Sequence, residues 1–513
     1  MTRDVIDDGS HTSVPFSRRK ALKSLGAVGS VGLAGCQGNS NGNDGNGNGE
    51  GGGTTGSTGD QSDISGQEVV FLKDQTGEEL TQVINSAIQS FEEETGATVR
   101  VEYSGQDIGK FERLTSMIQS GNTPEIASIN LSYGVQFKQQ GLLEPVTSVM
   151  DSLQDKHGES VVRYQAEGED WMVPFTQGAS DYWYRDDLLE EAGLSADFVP
   201  DTWDKLLTFA RAHDENISDD ILQGGVFVQS SQAPFVGNLM MGAFHKTNNG
   251  KITEYTDGEF RVAFGSGEQR DRMIETLSFL QELHQYSVDA GGASASENEH
   301  SIQTGLGAGT YDGGARVKQH SGLSGESGHH DSGAAYDSGK VVTNVGHVPY
   351  KRTKTSLASV GLFWVMKDGE NTDAAKQFLE HMFSDPQTVA DFCWGDGPVH
   401  AQPTFPGIKD SDYFQNLLRN DLAEHWEGGG RGGEYDNNNG IPATAERHLY
   451  GATSNVEPAV FETERPNPHI GAIWSSGILS EMVREVNINE TDPETVVDNY
   501  APQVQEILND SQS

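Results

Sequence analysis

From Glu68 onward the chain alternates short apolar runs with longer amphipathic stretches. EVVFLKD at 68–74 is apolar and rich in β-branched residues, and ELTQVINSAIQSFEEETG repeats its apolar positions at helical spacing up to Gly96. ATVRVEY alternates as a second strand, FERLTSMIQSG predicts another helix, and EIASIN after Pro124 a third strand. Strands alternating with helices imply parallel βαβ units in an open α/β sheet, which binds ligands at the carboxyl ends of its strands. Here those ends are Lys73-Asp74-Gln75 and Asn130-Leu131-Ser132-Tyr133.

The order of later segments adds a resemblance. FEEETGATVRVEY, SMIQSGNTPEIASIN and QQGLLEPV resemble the first lobe of family 1 extracellular solute-binding proteins, the family of the maltose-binding protein. WMVPFTQGASDYWYRDDLLEEAGL and VPDTWDKLLTFARAH are similar to the family's crossing into a second lobe. SQAPFVGNLMMGAF resembles its aromatic ligand-packing segment, and GTYDGGARVKQH the strand and Gly turn that line the cleft. VGLFWVMKDGENTDAAKQFLEHMFSDPQTVADF resembles the return segment, NPHIGAIWSSGILSEMV and DPETVVDNYAPQVQEIL the closing helices, so the resemblance covers 67–507. It implies an α/β, periplasmic-binding-protein-like fold: two lobes, a ligand cleft and crossing hinge strands. Residues 67–173 and 350–400 are expected in lobe 1, and 174–349 and 401–513 in lobe 2.

The same resemblance nominates ligand contacts. Phe235 and Trp474 stand where the family stacks aromatics on its solute. Lys73, Asp74, Gln75 and Asn130 follow first-lobe strands; Gln177 lies just beyond the hinge, with Asp312 and Arg316 on the Gly turn. Rings that cover a sugar face, with amides, carboxylates and Arg on its hydroxyls, are the physical recipe for sugar binding. Trp203, behind the N-cap Thr202, is expected to hold its helix on the lobe instead.

The 66 residues before this region read differently. SVPFSRRKALKSLGAVGSVGLAGCQ (13–37) places a basic pair before a short apolar run and a small-residue site, the order of an export signal. Ser17-Arg18-Arg19-Lys20-Ala21-Leu22-Lys23 resembles the twin-arginine motif, with Ala21 where Phe is usual, and Leu33-Ala34-Gly35-Cys36 resembles a lipobox. Residues 1–35 are thus expected to be a signal. In 36–66 a lipidated Cys36 would head a Gly/Asn/Ser tether too polar to bury a core.

Charge narrows the partners. With 77 Asp plus Glu against 34 Lys plus Arg, the formal net charge is -43, which excludes nucleic acid as a partner. Acids spread along the whole chain resemble haloarchaeal proteins, in which salt screens the self-repulsion. Of the two cysteines Cys36 belongs to the anchor, so Cys393 in ADFCW is expected to be a buried structural thiol. No HExxH or GxxxxGK[ST] motif occurs, and no GxSxG elbow at a predicted strand end (GNSNG at 38–42 lies in the tether), so no catalytic residue, metal or cofactor is expected. His320, His329 and His330 lie in a Gly/Ser/His-rich departure from the family pattern between Gly291 and Gly339, read as a solvated loop.

These readings converge on a monomeric, lipid-anchored receptor on the extracellular face of the membrane, delivering a sugar or oligosaccharide to an ABC permease with a cytoplasmic ATPase. Another solute (glycerol phosphate, polyamine or iron) is the alternative, followed by a secreted carbohydrate hydrolase. Cys36→Ser is expected to release the protein into the medium. Retention in the membrane fraction after a high-salt wash would remove the lipobox reading.

Overall fold

The strand Glu68–Asp74 (β1) pairs with Thr98–Ser104 (β2) on one side and Ile126–Ala127 (β3) on the other, both in parallel, as the alternation of strands and helices implies. A computed structural model describes residues 63–74, 78–104, 108–219, 221–228, 234–288, 301–302, 305–313, 342–395, 401–418, 447–463 and 465–512. The leader, Cys36, the tether up to residue 62, Gln75, Arg316 and the three loop histidines fall outside these residues; 63–66, expected in the tether, instead join the fold, with Ile64 buried and Gly66 N–H donating to the Gly96 carbonyl. Between β1 and β2 runs the helix Glu78–Thr95 (α1), which buries Leu80, Ile84, Ala87 and Phe91 along one stripe. It ends at Gly96, whose φ of 71° is the left-handed turn expected there. The third strand is shorter than EIASIN predicts. Ser128 N–H still donates to Leu72, but the backbone then turns into the helix Leu131–Gln139 (α3), with Ile108–Gln119 (α2) preceding β3.

Both faces of this sheet are covered, as parallel strands require. Val69 and Phe71 point into one core, shared with α1, Thr147–His157 (α4), Thr372–Ser384 (α8) and Pro386–Gly395 (α9). Its centre is aromatic: Phe71 meets Phe363 edge-on at 5.2 Å, and Phe91 meets Phe378 at the same distance. Cys393 is buried here, with Sγ 3.8 Å from the Phe175 carbonyl, as expected of a structural thiol. Leu72 faces the opposite way, into a second core that extends through Trp203–Asn216 (α5), Pro234–Thr247 (α6) and Gly267–His284 (α7). Trp203 is buried in this second core: Thr202 caps its helix, its indole stacks on Phe279 at 4.2 Å, and Nε1–H donates to the Pro349 carbonyl.

One long strand runs between the two cores. Val173–Arg185 (β4) has thirteen residues, nearly all buried. Along one edge it pairs antiparallel with Ser356–Met366 (β7) through Ala179, then with Val342–Asn344 (β6) from Trp183. On the other edge, Ala401–Pro403 (β8) covers 176–178 and Gly309–Gly313 (β5) covers 180–184. The main sheet path is therefore β5-β4-β7-β3-β1-β2. Pro406–Lys409 (α10) and Asp412–Asn416 (α11) follow β8 and pack on α4 and α9. The chain closes with Val456–Glu457 (β9) beside β7 and the helices Ile470–Ser476 (α12), Ile478–Asn487 (α13) and Pro493–Gln512 (α14). No helix among the described residues is long and apolar enough to cross a membrane.

Two buried histidines give the second core a pH dependence. Burial pushes His213 on α5 and His245 on α6 down to about 4. The unfolded value is about 6.5, so the folded state binds fewer protons across this window. The stability this contributes is complete above pH 6.5 and is lost as pH falls toward 4. Acidification from pH 7 to 5 is expected to cost about 2 kcal/mol for each histidine. Thermal unfolding at both pH values should show a shallower fall in His245→Gln than in the wild type, and equal slopes would refute the assignment.

Candidate functional site

Asn130 occupies the N-cap position of α3 directly after the third strand and is exposed, with no side-chain cap bond. One turn along, Tyr133 stacks on Phe111 of α2 at 4.3 Å and 25°, and Phe111 in turn stacks on Phe137 at 5.6 Å. A second helix approaches this aromatic pair. A Cβ added to Gly471 of α12 would lie 2.9 Å from Ser132 Oγ and 3.2 Å from Ser132 Cβ, so a side chain there would force Ser132 to shift. Trp474, three residues on and hence on a neighbouring part of the same helix face, meets α6. There a Cβ on Gly242 would come within 2.6 Å of its indole Cη2 and 2.8 Å of Leu357 Cδ1. α12 thus touches the sheet-end helix α3 and the second-core helix α6 at once.

The chemistry of this junction is mixed in a useful way. Phe111, Tyr133 and Trp474 are each half-buried and pack against the second core, while the Asn130 amide and the Ser132 and Tyr133 hydroxyls lie at the head of α3. Ring faces beside hydroxyl and amide groups suit a ligand with an apolar face and a hydroxylated rim. Of the expected contacts, Asn130 heads α3 and Trp474 lies on α12, the helix whose Gly471 meets Ser132. Phe235 is the second residue of α6, its side chain outside the described residues.

The other nominated residues lie elsewhere. Lys73, the penultimate residue of β1, lies on the face of the first core, buried, with Nζ 5.9 Å from the Phe392 ring of α9. Asp74 is the last residue of β1, its side chain outside the described residues. Gln177 is buried in β4 and its Nε2 donates to the Thr453 carbonyl at 2.9 Å. Asp312 sits on β5 opposite Asp181, half-buried, and its Oδ1 accepts from Gly313 N–H at 2.7 Å. Phe111 and Tyr133 were not among the nominated contacts. The motif ASINLSY marks the strand end, but the ring pair forms through tertiary packing that no local pattern carries.

Iron sites favour clustered tyrosines, and Tyr182 and Tyr184 flank Trp183 in the sequence. Tyr182 and Tyr184 are both buried, and burial pushes both hydroxyls up, away from the phenolate an iron ligand would need. No group of three or more His, Cys, Asp or Glu among the described residues has the arrangement to hold a metal. A groove of about 670 Å³ lies away from the junction, between α1 and α8–α9, and includes Ser86, His381 and Trp394. One of its carboxylates, Asp391, accepts from the Tyr413 hydroxyl, and another, Asp385, caps α9 through Thr388 N–H.

Comparison with known proteins agrees with this architecture. Residues 73–389 match the model of a family described as bacterial extracellular solute-binding protein. No curated protein matches the chain in sequence. Among solved structures, an ABC transporter solute-binding protein of Thermotoga lettingae bound to α-D-tagatose is 19% identical, with a TM-score of 0.59 over 86% of this chain and 100% of that one. Maltose-bound MalE3 of T. maritima is 15% identical, with a TM-score of 0.61 over 86% and 100%. The GacH receptor of Streptomyces glaucescens, solved unliganded and with acarbose, is 14% identical, with a TM-score of 0.61 over 86% and 99%. At such identities the likeness establishes the fold, α/β and periplasmic-binding-protein-like.

The Gly242 contact is testable. Gly242→Ala should cost about 1–3 kcal/mol because its methyl must displace the indole or Leu357. In a Trp474→Ala background the same change should cost less, with a coupling of about 1 kcal/mol in a double-mutant cycle. Strict additivity would mean the ring does not rest there.

Proposed function

Because the chain belongs to the family of bacterial extracellular solute-binding proteins, we propose that it captures a sugar or oligosaccharide outside the cell and hands it to an ABC permease driven by a cytoplasmic ATPase. In this reading Cys36 carries the lipid that holds it at the membrane after twin-arginine export, and molar salt screens its acidic surface. The observation that carries the sugar reading is the stacked Phe111–Tyr133 pair at the head of α3, against which α12 brings Gly471 and, one turn on, Trp474. The tagatose, maltose and acarbose in the similar solved proteins support the same solute class. Binding and release need no catalytic group. A hydrolase would need two acids placed across a glycosidic bond, and none of the contacts at the junction supplies that pair.

The lobes divide in this proposal where β4 changes partners, between Ala179 and Asp181. Residues 401–418 go with the first lobe, since β8 pairs with 176–178 and α10 and α11 pack on α4 and α9. Lobes that close on a solute require it to favour the closed state, because equal affinity for both states shifts nothing.

A thermal-shift screen in molar salt against sugars, glycerol phosphates, polyamines and iron identifies the solute. Calorimetric titration with the best sugar should then show Trp474→Ala weaker by on the order of 2 kcal/mol, roughly thirtyfold. Trp203→Ala should lower the unfolding temperature with little direct effect on affinity. Unchanged affinity in Trp474→Ala would remove the junction from the site, and turnover of the sugar by the wild type would overturn the receptor reading.

A further inference from the structure

Asp181 stands at the one place where β4 is between partners. On the edge where β7 ends at Ala179 and β6 begins at Trp183, no strand residue pairs with it. Its carboxylate is fully buried and fills that gap. Oδ1 accepts from the backbone N–H of Tyr182 at 2.7 Å and of Gly346 at 3.0 Å. Oδ2 accepts from Asn344 Nδ2 at 2.8 Å and faces His448 Nδ1 at 3.3 Å. The contact is a hydrogen bond when the imidazole proton sits on Nδ1. His448 is itself fully buried, on the turn Arg447–Gly451, and leans on the Trp183 ring. Its neighbour Arg447 donates to Asn344 Oδ1 and Thr343 Oγ1, and Gln177 holds Thr453 further along the same segment.

One side chain thus joins three stretches of chain: β4, the segment after β6, and the returning segment 447–453. We infer that Asp181 is the positioning residue of the lobe crossing: it fixes the rotation between the segments joining the lobes, and so the width at which the empty cleft rests. The inference rests on the two-lobe reading above. Hydrogen bonds to a buried charge are among the stronger ones, and a buried donor left without its acceptor is costly. An amide at this position would set its N–H₂ against a donor either way round, against the Tyr182 and Gly346 N–H groups or against Asn344 Nδ2, at the point where the strand ladder is interrupted.

A matched control separates positioning from mere stability. Glu125 is also a buried carboxylate that accepts backbone N–H groups, from Val70, Glu370 and Asn371, but all of these lie within the first-lobe region. Asp181→Asn and Glu125→Gln should both lower the unfolding temperature of the full chain in molar salt. In small-angle X-ray scattering without solute, only Asp181→Asn should raise the radius of gyration, by on the order of 1 Å against the roughly 22 Å of a compact unit this size. If Asp181→Asn fails to fold, His448→Gln, which removes one of the ties, should shift the radius the same way by less. An unchanged radius in the variants that fold, or an equal rise in Glu125→Gln, overturns the inference. The measurement needs no solute. If nothing in the screen contracts the wild type, the receptor reading fails while the ligand-free comparison still decides the role of Asp181.

Discussion

A backbone group inside a protein must find a hydrogen-bond partner, and β4 has to meet that demand while passing between two cores. It does so by exchanging partners on both edges within a few residues of Ser180. Everything on either side follows from this exchange. The three strands β1, β2 and β3, with β7, build a sheet wrapped by α1, α4, α8 and α9, while β5 and β6 carry β4 into the region of α5, α6 and α7. The exchange leaves backbone donors near Asp181 that no strand can satisfy, and a buried carboxylate takes them up.

Much of the first region was legible because its signals are local. EVVFLKD is a continuous apolar run and becomes β1 residue for residue; Gly96 ends a helix because a left-handed turn needs it; Cys393 is apolar in context and buried in fact. EIASIN promised more strand than forms, since apolar pattern does not say where the chain turns into its next helix. The family likeness placed later elements well, including Trp203 behind its cap.

The site was less legible, for a reason visible in Lys73. Its place at the end of a strand fits a binding contact, yet strand alternation puts it on the face of Val69 and Phe71, toward α9 rather than α3. Gln177 is similar: a polar residue near a hinge, but its amide is bonded to Thr453. Conversely, Phe111 and Tyr133 come from separate helices and meet only in the folded chain. Composition names the residue types for sugar chemistry; the side of the sheet decides which of them gather.

The partner exchange also constrains how this chain can change over evolutionary time. Side chains alternate along β4, so Trp183 enters the first core while Tyr182 and Tyr184 enter the second. Inserting a single residue between Gln177 and Asp181 would reverse every face beyond it, sending the indole to the wrong side and the carboxylate into an apolar layer. Only changes in multiples of two preserve the assignment, and even these would shift β5 and β6 out of register with β7 and β8. Drift in chain length must therefore accumulate outside residues 173–185, whatever happens to the identities of the side chains within them.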